Sequence, residues 1–197
     1  EALGTLESSG VIVRRHGVGT FVASPARGNL QGGLEQLESL RSLAAQAGVN
    51  EERADWVVDT IFASDELASR LELERGAPLV YVQMTAKAEG CLFAYFKSYI
   101  PANYVDVGDL QGYSEGSLLD YLTERDELKI SYTYSDLYAV AADQELAGRL
   151  EVAEGTPLLH LVELYYTETG QLVTVSLNYF VTDRLNFHIL RRVIRRR

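Results

Sequence analysis

The chain has 197 residues, 47% of them hydrophobic and 23% charged, which is enough to bury one full core and ordinary for a soluble globular protein. A formal net charge of −10 argues against a surface that binds nucleic acid all over, because phosphate contacts need local positive charge. No apolar run spans a bilayer and no charged-then-apolar leader is readable, so neither a membrane segment nor a signal peptide is expected and a cytoplasmic location follows. Cys91 is the only cysteine and His16, His160 and His188 are scattered, so no intrachain disulfide, metal site or cofactor is expected.

In chain order, EALGTLESSG (1–10) reads as the last turns of a helix, with Ala2, Leu3 and Leu6 on one stripe and Gly10 at the C-cap. Residues 11–23, VIVRRHGVGTFVA, place two β-branched runs around Arg15-His16-Gly17-Val18-Gly19, the composition of a hairpin. A helix running straight into a two-stranded ribbon predicts the rear half of a winged helix. SPARGNLQGG (24–33) is a linker by composition. After it, Leu34, Leu37, Leu40, Ala44 and Ala47 recur at helical spacing up to Gly48. Residues 56–62 read as a buried strand and 65–73 as a helix with an acidic first turn.

The most informative feature is an internal duplication. SDELASRLELERGAPLVYV, from Ser64, returns as DQELAGRLEVAEGTPLLHL, from Asp143, and the match resumes with Gly90/Gly170, Leu92/Leu172 and Tyr99/Tyr179. Each copy (64–100 and 143–180) reads helix, Gly-x-Pro turn, strand, turn, strand, and the spacing is far too long for a solenoid, which predicts a pseudo-symmetric pair. Between the copies, 118–122 looks helical and 130–140 looks like a strand with Tyr132, Tyr134 and Tyr138 on one face. The expected fold is α+β, a mainly antiparallel sheet with helices on one side. At the C-terminus, Arg191, Arg192, Arg195, Arg196 and Arg197 leave 13 basic against 28 acidic residues in the remainder, net −15. The arginine run reads as a solvated tail, with a phosphate-contacting arm as the alternative.

At these residues the chain resembles the GntR superfamily of regulators, and within it the HutC-type branch with a UTRA effector domain. Gly10, Arg14, Arg15, Gly17, Gly19, Thr20, Phe21 and Val22 stand where the family's wing signature has them. The UTRA-like pattern is carried by Leu67, Ala68 and Leu71, Gly76-x-Pro78, Tyr99-Ile100-Pro101, Ser117-Leu118 and Tyr179-Phe180-x-x-Asp183-Arg184-x-x-Phe187. The resemblance implies a chorismate-lyase-like fold preceded by the C-terminal part of a winged helix-turn-helix. It divides the chain into 1–24, the end and wing of the DNA-binding domain; 25–33, a linker; and 34–197, the effector-binding and dimerisation domain. It also implies a homodimer that binds operator DNA, with a small molecule altering that binding as a ligand-responsive transcription regulator, in the manner of a repressor.

Arg14, Arg15, His16, Gly17 and Gly19 in the wing are the expected DNA contacts, a cationic slim tip being suited to phosphate or minor groove; the bland role is a solvated turn. Members that sense sugar phosphates or acids place arginines and a carboxylate where this chain has Met84, Ala86 and Phe96, and the second copy has Thr174 and Phe180 where relatives often show glutamate and tyrosine. Leu119 replaces another polar position while Ser117 is kept. Strand alternation groups these with Ser98 and Asn178 as expected effector contacts, with plain core packing as the competing role. Glu163, on an otherwise apolar strand, is the expected buried charge, either in an internal salt bridge or on the ligand.

An uncharged, largely apolar effector is therefore expected. An enzyme of the chorismate-lyase type is the alternative, but it needs cations for two carboxylates and those candidate positions hold Met84, Ala86 and Phe96. A metal-sensing helical effector domain would need histidines that the chain does not cluster.

Overall fold

The computed structural model describes residues 12–15, 19–22, 30–114, 116–125, 128–189 and 191. The first element is the expected hairpin: β1 (Ile12–Arg15) and β2 (Gly19–Val22) pair antiparallel, with Arg15 opposite Gly19. The 1–10 helix lies outside the described residues.

The body is a six-stranded antiparallel sheet. Its strands are β4 (Glu51–Phe62), β5 (Pro78–Ala88), β6 (Cys91–Pro101), β7 (Ile130–Ala141), β8 (Pro157–Thr167) and β9 (Leu172–Val181), in the order β4-β5-β6-β9-β8-β7. That order is two strand–helix–hairpin units joined edge to edge. Phe62 faces Pro78 in the first unit and Ala141 faces Pro157 in the second, 79 residues further on. Met84 faces Phe96 as Glu163 faces Ser176, one residue having been inserted at the second hairpin turn. The central pair Lys97 and Leu177 is its own equivalent, so the pseudo-dyad passes between them.

The duplication reaches backbone detail. Ser64 and Asp143 occupy matching N-caps, each accepting from the amide three residues on, at the starts of α2 (Asp65–Arg70) and α5 (Gln144–Leu150). Both helices end in a left-handed glutamate, Glu72 at φ 57° and Glu151 at φ 50°. Gly76 and Gly155, at φ 76° and 82°, then return their amides to the carbonyls of Ala63 and Ala142. Positive φ explains the glycine in each Gly-x-Pro turn. Matching irregularities at Phe93 and Val173 interrupt the β5–β6 and β8–β9 ladders.

Helices cover both faces of the sheet, not one as alternation alone suggested. On one face Ala68 and Leu71 of α2 pack on Leu79 and Val175, and Leu146, Ala147 and Leu150 of α5 pack on Tyr95, Leu158 and Val181. Each helix thus rests partly on the other copy's central strand, which locks the halves together. The opposite face is covered by α1 (Leu40–Ala47), α3 (Val107–Gly112) and α4 (Leu118–Thr123).

Three sequence expectations shift. The first helix begins at Leu40, capped by Ser39, so Leu34 and Leu37 precede it. Residues 30–33 of the expected linker form β3 (Leu30–Gly33), parallel to β10 (Leu185–His188). Finally, β4 is an edge strand with only Val58 buried, rather than a buried strand, because nothing pairs with its outer side among the described residues. There too, no helix is long and apolar enough to cross a membrane.

Candidate functional site

The covered face holds a partly open cavity of about 490 Å³. Its floor is the alternating, inward set of β5, β6, β9, β8 and β7. Its roof is segment 33–39 with α1, the start of α4, and Phe187 and Ile189 near β10. β3 closes tightly here: a Cβ on Gly32 would lie 3.0 Å from Phe187 and 3.2 Å from Leu43.

Nine of the ten effector residues expected from the sequence line this cavity: Met84, Phe96, Ser98, Ser117, Leu119, Glu163, Thr174, Asn178 and Phe180. Ala86 does not. It shares the floor's face but is fully buried in the cluster beneath α1, too short to reach the open space. Alternation groups Ser176 with Thr174, Asn178 and Phe180, and it too lines the cavity; Ser135, Tyr165 and Leu161 and the roof residues Glu35, Glu38 and Leu43 are not singled out by the sequence. Alternation puts Leu161 and Tyr165 on the side of Glu163, and that signal was available; the register that brings Ser135 opposite Glu163 was not.

Most hydroxyls on the floor are already engaged. Ser98 and Ser176 hydrogen-bond each other at 2.6 Å, and Thr174 donates to the carbonyl of Tyr99 at 3.0 Å. Ser117 caps α4: its Oγ accepts from the amide of Asp120 and donates to Asp120 Oδ2 at 2.7 Å. A serine expected to orient ligand atoms is thus spent on a capping box.

Glu163 is the electrostatic centre. Among the described residues it forms no salt bridge, where an internal ion pair was expected as its ordinary role. Three neutral donors hold it instead: Ser135 Oγ to Oε1 at 2.9 Å, and Tyr165 OH and Asn178 Nδ2 to Oε2 at 2.9 and 2.6 Å. Burial pushes its carboxyl above the ordinary value, with those hydrogen bonds opposing the shift. Asn178, 3% exposed, leaves Oδ1 without a hydrogen-bond partner among the described residues. No lysine, arginine or histidine lines the cavity among the described residues, whereas Glu35 and Glu38 stand at its roof.

Of the expected DNA contacts, Arg14, Arg15 and Gly19 lie on the paired strands of the hairpin. His16 and Gly17 lie outside the described residues.

A duplicated antiparallel sheet with a cavity between its face and a helical roof presents a site for a small molecule. The chain belongs to the UTRA domain family, whose sequence profile matches residues 57–186. It is 26% identical over 189 residues to the HTH-type transcriptional repressor NagR of Bacillus subtilis, covering 95% of this chain and 75% of that protein. To the HTH-type transcriptional regulator GmuR of the same organism it is 23% identical over 171 residues, 86% of this chain and 71% of that protein. PhnF from Mycobacterium smegmatis has the same fold, with a TM-score of 0.74 at 20% identity over 98% of this chain and 83% of that one.

Proposed function

We propose that this protein is a ligand-responsive transcription regulator in which a small, non-anionic, largely apolar molecule in the UTRA cavity alters operator DNA binding. What supports this is the partly open cavity of about 490 Å³ in a UTRA-family chain that also holds the antiparallel pair 12–15 and 19–22, as a wing would. A volume of this order suits a metabolite-sized ligand. Residues 1–24 are assigned to the winged helix, with Arg14, Arg15, His16, Gly17 and Gly19 toward DNA, and the remainder after the connecting segment to sensing. The similarity to regulators named as HTH-type supports this reading.

The test is selection of genomic DNA fragments on the protein, followed by anisotropy titration with and without compounds that raise its unfolding midpoint. A two-fold-symmetric site whose affinity shifts with such a compound is expected. Failure to enrich any site, or an affinity indifferent to every stabilising compound, overturns the proposal.

A homodimer is part of the reading, and the two sheet edges favour β7 as the surface where the copies meet. β4 carries Asp55 and Asp59 and gives Val58's carbonyl to Gln111 of α3. At the equivalent positions β7 has Tyr134 and Tyr138, and with Tyr132 and Leu137 these are about half exposed. A long apolar edge invites pairing, whereas a charged one discourages it. Light scattering is expected to show twice the 21.9 kDa chain mass, falling to one on joint Tyr134→Asp and Tyr138→Asp replacement. A monomeric unsubstituted protein at all practical concentrations ends the dimer proposal.

A further inference from the structure

We propose that Glu163 and Asn178 form the anchoring point for a positively charged amine on an otherwise apolar effector, so that the cavity senses organic cations and not merely neutral molecules. This rests on the reading of the cavity as the effector site and specifies the chemistry it selects.

The geometry supplies two converging acceptors. A carboxylate has about four lone-pair directions, and Glu163 uses three, for Ser135, Tyr165 and Asn178. One direction remains on Oε1. Asn178 must turn its amide nitrogen toward Glu163 to make the 2.6 Å hydrogen bond, which fixes its Oδ1 in the buried, unpartnered position beside the same carboxylate. A buried acceptor without a donor is costly, so the site is complete only when something donates to it. Both positions accept and neither donates, which specifies the missing partner as a donor; Asn178 Oδ1 is itself buried, so a ligand meets Glu163 first.

Charge decides which donor. All three groups holding Glu163 are neutral, and no cation lines the cavity among the described residues. An anionic ligand would meet a partly buried carboxylate with no cation beside it, and a neutral alcohol, with one O–H donor, would fill only one of the two acceptors and leave the charge uncompensated. An ammonium has donors for both and compensates the charge. Across the floor, Val82, Met84, Phe96, Leu161 and Phe180 offer an apolar wall for the rest of the molecule, with Phe96 and Phe180 edge to face at 5.6 Å between ring centroids. Aromatic faces near the anchor also suit a cation. Burial raises the carboxyl of Glu163, and a bound cation would oppose that shift by favouring the charged form.

The chain's single methionine, Met84, lies on this floor, so a carbon-13 methyl label gives one resonance that reports cavity occupancy directly. The probes are tryptamine, tryptophol and indole-3-propionate, which share a body and differ in head group, together with 2-phenylethylamine, 2-phenylethanol and 3-phenylpropanoate. Titration of the unsubstituted protein is expected to shift the Met84 methyl with both amines at concentrations about 10- to 100-fold below the corresponding alcohols, with the acids weakest. In Glu163→Gln the amine preference over the alcohol is expected to disappear. An alcohol or acid that matches or exceeds its amine in the unsubstituted protein overturns the amine assignment and leaves the cavity as the effector site. Absence of any methyl shift with all six compounds overturns both. Because the head-group comparison needs no substitution, it decides the question even if Glu163→Gln does not fold.

Discussion

The two copies share a backbone and divide the cavity between them by chemistry. At equivalent floor positions the first copy has Val82, Met84, Ala86 and Phe96 where the second has Leu161, Glu163, Tyr165 and Ser176, and Ser98 corresponds to Asn178. One half of the floor is therefore apolar and the other carries nearly all its polar atoms. The edges diverge in the opposite sense: β4 of the first copy is acidic at Asp55 and Asp59, while β7 of the second is aromatic at Tyr134 and Tyr138. A duplicated scaffold constrains caps, turns and register, where backbone geometry allows few residues. It leaves side chains that face a cavity or a free edge open to diverge.

The two copies are expected to bear equal weight in the core. Leu79 and Leu158 are equivalent and almost completely buried, at 0% and 2% exposed. Leu79→Ala and Leu158→Ala are each expected to lower stability by about 2–5 kcal/mol in urea unfolding. If one costs that much and the other almost nothing, the copies are not energetically equivalent despite their shared register. A smaller effect is expected at the caps. Removing the side-chain acceptor at Ser64 or Asp143 by alanine is expected to cost about 1 kcal/mol each. Asp143 is expected to cost slightly more, because its charge also meets the helix N-terminus. Equal or inverted losses in the same unfolding assay would remove the dipole contribution from the account.

The smallest expected effect concerns pH, and it sharpens the contrast between Glu163 and its apolar counterpart Met84. The folded carboxyl lies above its ordinary value near 4.5, because burial disfavours the charged form. The folded state therefore holds that proton more tightly than the unfolded chain. Stability from this group is fully present below the unfolded value and is lost as pH rises through the folded one. Glu163→Gln does not titrate, so its stability relative to the unsubstituted protein is expected to increase from about pH 4.5 upward and then level off. Urea midpoints across that range measure it; a flat difference, or one that narrows as pH rises, shows that desolvation does not dominate at Glu163.

Much of this architecture was legible in the residues. The repeated Leu-Ala-x-x-Leu helices, the Gly-x-Pro turns and the two hairpins announced the duplication, because capping and positive-φ turns are local and admit few residue types. Strand alternation grouped Met84, Phe96, Ser98, Thr174, Asn178 and Phe180 correctly, since side-chain direction has period two whatever the strand pairs with. Composition also misled in places: the glycines at 32 and 33 signalled a linker, but they lie in β3, where a Cβ on Gly32 would press on the Phe187 and Leu43 side chains.

Local patterns in the residues set the repeated unit, its turns and which residues share a face. Tertiary structure decided the rest, because it depends on contacts between distant segments. The pairing of β6 with β9 made one sheet of two units; α2 and α5 each cover the other copy's central strand on one face, and α1, α3 and α4 cover the opposite face. The β7–β8 register put Ser135 against Glu163, and the β8–β9 register brought Asn178 within reach of it. Local patterns identify a buried carboxylate as unusual; only that packing determines that its partners are neutral and that the acceptor beside it is left open.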